Sequence, residues 1–316
     1  MNYEELQQLL QVEFINPDRN IIIDFSESDD PCDISQAIIR KSDGTNVNQQ
    51  FFQRTHRFLR LHRTLDWGIL ELGYTLKAMG ALNLRDPFLE RLSIIKELKG
   101  QTQLETIELL SWWSDLSTDK DVNDEHSRSY YESLFLNKAI TNPIEPHFEL
   151  NGDGTALAIE DAGTEVFIND YLTHISGALG ISSATLGYLI SQLAENPPLT
   201  LANLSQLHRL NSLTNAFDIE AKDISKVFGL IDEEPFAAAQ PEGALAFAEK
   251  VDKIHSGALN ERALAYLLLH DYDEVDKIGL SEDSIGKPLN TIQEGLQKII
   301  TENDHSTDPT GELTVT

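Results

Sequence analysis

The chain has 316 residues, 41% of them hydrophobic, which is enough for a sizeable core in one elongated body or in two ordinary domains. Acidic side chains outnumber basic ones 52 to 24, and the net charge of −28 argues against partners that present phosphate, such as nucleic acid or anionic lipid. Cys32 stands alone, so an intrachain disulfide framework and a zinc ribbon are excluded, and a small buried hydrophobe is the expected role.

Residues 3–12 predict a short helix with Leu6, Leu9 and Leu10 on one side. The opening MNYEELQQLLQVEF is acidic, without the basic start and continuous apolar stretch of a cleaved secretory signal. Residues 21–25, IIIDF, are β-prone between turn-formers and predict a short strand. Helices are expected near 51–63, 68–79, 86–98 and 103–114, the last opened by a capping box at Thr102 and Glu105. Residues 119–129 predict a polar surface loop, and 130–137 a further helix.

Between 142 and 170 the pattern changes to period two around a tight-turn signal, Asn151-Gly152-Asp153-Gly154, and a small β insertion is expected. Helical phrases fill 171–272 and resume over 288–302, where Thr291 and Glu294 suggest another capping box. The longest apolar run, 263–269, is too short to span a bilayer. A polar tail, 303–316, is expected to be disordered. With no linker of Pro, Ser or Gly, the pieces 1–141, 142–170 and 171–302 read as parts of one continuous helical body.

A helix-break-helix phrase recurs. An apolar residue in a turn is followed five places later by an aliphatic: Trp67 and Leu72, Ile181 and Leu186, Ile219 and Ile224, Leu259 and Leu264. The later leads are 219 − 181 = 38 and 259 − 219 = 40 residues apart, a spacing typical of stacked helical hairpins. Gly180, Asp218 and Gly257 stand where one helix must end, and Ser182 and Asn260 offer caps to the next. The expected fold is therefore mainly α, an elongated, solenoid-like stack of hairpins.

Candidate chemistry is sparse. Arg54, Arg57, Arg60 and Arg63 make a basic stretch in an acidic chain; it suits an acidic partner, or an amphipathic helix whose arginines pair with nearby carboxylates. His56 and His62 are six apart and do not share a helical face as metal ligands would. The Asn151–Thr155 segment lacks the glutamate that a calcium loop needs at its twelfth position, and the Gly-Lys at 286–287 lacks phosphate-loop spacing. No nucleophile elbow, zinc-protease or dinucleotide motif occurs, so no catalytic, cofactor or metal residue is nominated. Of the adjacent Trp112 and Trp113, which point in different directions on a helix, one is expected in the core and the other packed at the core's edge or available for contact.

Several segments, in order, resemble toxin-complex (Tc) A subunits and the related virulence-plasmid A proteins. His56-Arg57-Phe58-Leu59-Arg60-Leu61-His62-Arg63-Thr64-Leu65-Asp66-Trp67 resembles their H-R-F-x-R-L-x-R-x-L-G-W signature. Ser111-Trp112-Trp113-Ser114-Asp115-Leu116-Ser117-Thr118 is similar to A-L-W-x-D-I-D-T, and the segment with Tyr131, Leu134, Phe135, Leu136, Asn137 and Lys138 to Y-x-x-L-F-L-N-K. Residues 199–209, with Leu204, Ser205, His208 and Arg209, are similar to L-T-L-x-N-L-S-x-L-Y-R, and Pro235-Phe236 followed by Leu245 and Phe247 fits a P-F then L-x-F pattern. The Asn16-Pro17 and Cys32-Asp33-Ile34 pieces also fit. His62, Asp66 and His208 depart from the family's usual Trp, Gly and Tyr. The family's chains are far longer, so the likeness is to one stretch of their helical shell.

The resemblance implies a non-enzymatic segment of the α-helical shell that encloses a translocation channel in a pentameric A subunit, with other A-subunit segments or protomers as partners. It implies a secreted or cell-surface location without a standard signal, no nucleic-acid partner, no membrane insertion by this segment itself, and a host receptor that is not specified. The other class of expectation is a free-standing helical repeat scaffold that binds a partner protein through an exposed patch near Trp112 and Trp113.

Overall fold

Side chains that satisfy otherwise unpaired backbone groups set many of the helix ends in this chain. The computed structural model describes residues 2–25, 36–81, 83–163, 165–271 and 282–302. Asn2 caps α1 (Tyr3–Gln11): its side chain accepts from the Glu5 amide, and the Glu5 carboxylate accepts from the Asn2 amide. The isoleucine run forms β1 (Ile21–Asp24), which pairs antiparallel with β2 (Ile38–Lys41) so that Ile21 meets Lys41 and Asp24 meets Ile38. The basic stretch is α2 (Gln49–Leu65), capped by Asn48.

Helices α3 (Ile69–Ala78) and α4 (Asp86–Thr102) lie close to their expected places. The capping box expected at Thr102 does not form. Thr102 is the last residue of α4 and its hydroxyl donates back to the Leu98 carbonyl, while Gln103 turns the chain at φ 58°. Helix α5 (Thr106–Leu110) is consequently short, and tight turns carry the chain through Trp112 and Trp113. Helix α6 (Tyr130–Phe135) starts at a capping box made by Ser129 and Glu132.

The β insertion expected over 142–170 is corrected. Among its described residues the turn at Asn151–Gly154 is present, but only one bridge, Leu150 to Leu157, flanks it. Pro146–Phe148 is a 3-10 turn, and Glu160 reaches back to accept from the Leu157 amide at 2.8 Å, starting α7 (Ala158–Asp161) where a strand was expected. The period-two pattern instead places Phe148, Leu157 and Ile168 in a helical core.

The remaining helices are α8 (Leu172–Leu179), α9 (Ser183–Ser191), α10 (Leu201–Ala216), α11 (Ile224–Leu230), α12 (Pro241–His255), α13 (Glu261–Leu269) and α14 (Glu282–Glu302). Helix α14 starts before Pro288 and runs through it, so Thr291 is interior, donating to the Lys287 carbonyl, and caps nothing. Cys32 and the tail at 303–316 lie outside the described residues.

The recurring phrase has a local cause. Each lead residue precedes the cap and each aliphatic lies four positions after it, the arrangement of a hydrophobic staple. Trp67, Ile181 and Ile219 follow residues in the left-handed region: Asp66 at φ 60°, Gly180 at 67° and Asp218 at 51°. Gly257 does not adopt that conformation, so the fourth copy closes differently. Leu72, Leu186 and Ile224 are fully buried, whereas Leu259 is exposed and Leu264 half-buried.

Packing joins near neighbours first: α1 on α3, α3 on α5, α6 on α8, α8 on α9, α9 on α10, and α11 on α13. Helix α4 also packs on α12, where Arg91 pairs with Glu242 at 3.0 Å. One apolar core runs from Leu9 to Val251. The fold is mainly helical with a two-stranded sheet, and no described helix is long and apolar enough to cross a membrane.

Candidate functional site

Helix α10 is the only described helix of its length with almost every side buried, although serine, histidine, asparagine and threonine interrupt its leucines. Such residues survive in a core only if their polar atoms are partnered. The Ser205 hydroxyl donates to the Leu201 carbonyl and accepts the Leu116 amide at 2.9 Å. Ser212 accepts the Trp112 indole N–H at 3.1 Å. The Arg209 guanidinium donates to the Ser114 carbonyl at 3.0 Å, lies over the Phe236 ring and reaches Asp115 at 3.8 Å. Trp113 donates to the Pro235 carbonyl. Three motifs separated in sequence therefore close on one another: the Trp112-Trp113 segment, α10 and the Pro235-Phe236 turn.

His208 sits at the centre of this seam. Its Nδ1 is 3.1 Å from the Ser111 hydroxyl and its Nε2 is 3.0 Å from the Tyr130 hydroxyl. Ser111 spends its own proton on the Glu108 carbonyl, so Nδ1 carries the hydrogen and Nε2 accepts from Tyr130. Burial, reinforced by neighbouring Arg209, pushes the His208 pKa down to about 4. Burial likewise raises Glu108, whose carboxylate is held by Ser212, and raises the Tyr130 phenol. A serine–histidine pair is a familiar catalytic element, but Ser111 and His208 are sealed in the core at 1% and 4% exposure. The arrangement supplies fixed geometry and a neutral imidazole. It gives a substrate no approach.

A second cluster supports the first. Tyr131, Phe135, Phe148 and His174 stack in series at 5.1, 5.6 and 4.1 Å between ring centroids. Tyr131 donates to the Phe148 carbonyl at 2.8 Å, and the His174 ring bonds the Phe135 carbonyl at 3.1 Å. Leu134 is half-buried on the core, and Asn137 opens the turn after α6 by accepting from the Ala139 amide.

The signature on α2 divides by face. Phe58 is fully buried and Trp67 nearly so, with the Trp67 carbonyl bonded by the His62 ring. Arg54 donates to the Phe14 carbonyl. Arg57, Arg60 and Arg63 are exposed and, among the described residues, form no ion pair, so the expectation of arginines paired with carboxylates fails for these three. Leu204 is buried in α10 and Phe236 is half-buried against Trp112 at 6.2 Å. Trp112 and Trp113 are both buried, at 0% and 3% exposure, so packing accounts for the pair and neither ring is left for contact. The turns after α5 let the two rings meet edge to face instead of diverging around a helix.

Two clefts of about 780 and 500 Å³ lie beside Tyr74. Three of their acidic groups are engaged: Asp119 with Lys77, Asp121 with Gln8, Gln11 and Asn123, and Glu71 with Lys99 and Thr106. Burial and the nearby Asp119 and Asp121 push the Tyr74 phenol up to about 12. A third feature, which apolar periodicity does not reveal, links α11 and α13. There the fully buried Asp223 carboxylate accepts from Arg262 at 2.6 and 2.8 Å and from Lys226 at 3.2 Å. Its one local signal in the sequence is the three-residue spacing of Asp223 and Lys226; Arg262 is 39 residues away.

No family model matches the chain and no curated protein matches it.

Proposed function

We propose that the chain is a non-enzymatic structural segment of a toxin-complex A subunit, part of the helical shell around a translocation channel. One observation carries this reading: the residues of 111–116, α10 and 235–236 that resemble the family's motifs, far apart in sequence, bond to one another in the core. Motifs that interlock helices suit a wall, whose task is to hold shape. Its partners are other segments or protomers of the A subunit, and its place is outside the cell as part of that assembly. The elongated hairpin stack belongs to the same proposal, and small-angle scattering measures it directly.

The test is assembly. The purified chain is mixed with the remaining parts of a toxin-complex A subunit, followed by sedimentation and negative-stain imaging. Co-sedimentation into channel-bearing particles is expected. A chain that stays alone with every such part overturns the reading.

A free-standing scaffold is the second reading, favoured by the exposed Leu267, Leu268 and Leu269 on α13. It replaces the proposed near-Trp patch, and substitution of these leucines by polar residues would abolish capture of its partner while leaving A-subunit parts unbound.

A further inference from the structure

Helix α2 is basic in a chain whose acidic side chains outnumber basic ones 52 to 24. Its 17 residues include four arginines and two histidines, and no aspartate or glutamate. Phe51 and Phe58 hold one side of it in the core, and Arg54 turns inward to the Phe14 carbonyl. Arg57, Arg60 and Arg63 remain exposed, and among the described residues no carboxylate pairs with them. Each three-residue step advances about 4.5 Å and turns by about 60°, so the three guanidiniums spread over about 9 Å of one face. Phe52 and His56 lie on that face too, since 52, 56 and 60 follow a four-residue row. The Phe52 ring is 58% exposed and is steadied edge to face by Phe51 at 5.4 Å. Two ordinary roles do not account for this face. Arg63, in the last turn, suits the helix dipole, but Arg57 and Arg60 lie too far from the end. Solubility needs no added cations in a chain of charge −28.

We propose that this face of α2 docks an acidic helix of another protein, one that presents Asp or Glu at three- and four-residue spacing beside an apolar side chain for Phe52. The inference goes beyond the shell reading and depends neither on it nor on how many copies assemble. Carboxylates at helical spacing repeat at the same axial steps as the three arginines, and a guanidinium takes a carboxylate through two parallel hydrogen bonds. Arginine next to an exposed aromatic ring is also the composition of a protein-binding surface. Other polyanions fit less well. A nucleic acid or sulfated polysaccharide meets the repulsion of a chain charged −28 wherever it extends past this face. A lipid surface needs the apolar side of an amphipathic helix, and Phe51 and Phe58 have placed that side in the core.

The test is fluorescence anisotropy of the full chain with a synthetic helical peptide that carries glutamates at three- and four-residue spacing and leucines along one edge. The natural chain is expected to bind this peptide and not its glutamine counterpart. Arg57→Gln with Arg60→Gln is expected to weaken binding at least about tenfold, with an unchanged circular-dichroism melting temperature because both positions are exposed. Arg60→Glu is expected to lose the glutamate peptide and to gain one with lysines in place of the glutamates. Failure of the natural chain to bind the glutamate peptide overturns the proposal, as does equal binding by the double arginine variant. So does tighter binding to heparin or to anionic phospholipid vesicles that the same variant loses, an outcome that assigns the face to a polyanion.

Discussion

The Trp113 indole N–H donates to the Pro235 carbonyl at 3.1 Å, joining residues 122 apart in sequence. Trp113→Phe keeps most of the ring's bulk but leaves that carbonyl unpaired in a buried place. A loss of roughly 1–3 kcal/mol is expected, read as a lower urea midpoint with an unchanged slope. An unchanged midpoint would show that the indole bond contributes nothing to holding the seam.

His208 makes stability depend on acid. Its folded pKa of about 4 lies below the ordinary 6.5, so the unfolded chain takes up the proton first as pH falls. Stability contributed by the neutral ring is complete above about 6.5 and declines toward about 4, by roughly 3 kcal/mol over the whole window. Glu108 works in the opposite direction, because a carboxyl raised by burial favours the folded state as pH falls. His208→Gln, which cannot take the proton, should be less stable at neutral pH yet lose less between pH about 7 and about 5. Denaturant midpoints at the two pH values decide it; equal slopes for both proteins would rule out His208 as the source.

Arg262 holds a carboxylate with no access to water. Arg262→Met leaves Asp223 with Lys226 as its remaining ion-pair partner, and a loss of about 3–5 kcal/mol is expected. Hydrogen exchange should localise the loosening to α11 and α13. Protection in α13 equal to that of the natural chain would contradict this account.

Asp66 closes α2 at φ 60°, a conformation that costs a residue with a Cβ and costs glycine almost nothing. Asp66→Gly is therefore expected to raise stability by up to about 1 kcal/mol. A fall in melting temperature would mean that the aspartate side chain supports the turn.

The helices were legible wherever apolar spacing and a cap agreed. Ser182 and Asn260 each accept from an amide in the first turn of the helix they begin, as expected of caps. Where a pattern had two meanings, the local reading failed. Thr102 and Glu105 spell a capping box, yet the hydroxyl finds the Leu98 carbonyl within α4 first. The alternation around Phe148 and Leu157 spells strands, yet among the described residues no strand lies alongside to continue the ladder, and the aromatic stack with Phe135 and His174 fixes the segment instead. Strand β2 was missed because two isoleucines before a charged pair carry little signal without knowledge of β1 opposite.

By itself the sequence determined the helical character, the staple phrase at four helix starts and the order of the packing motifs, since these depend on residues within a turn or two of one another. The meeting of Trp112, Trp113, His208, Ser212 and Pro235 was decided only in three dimensions. Hydrogen bonds between such distant groups depend on which helix lies beside which, and apolar periodicity specifies that a face is buried without specifying its neighbour.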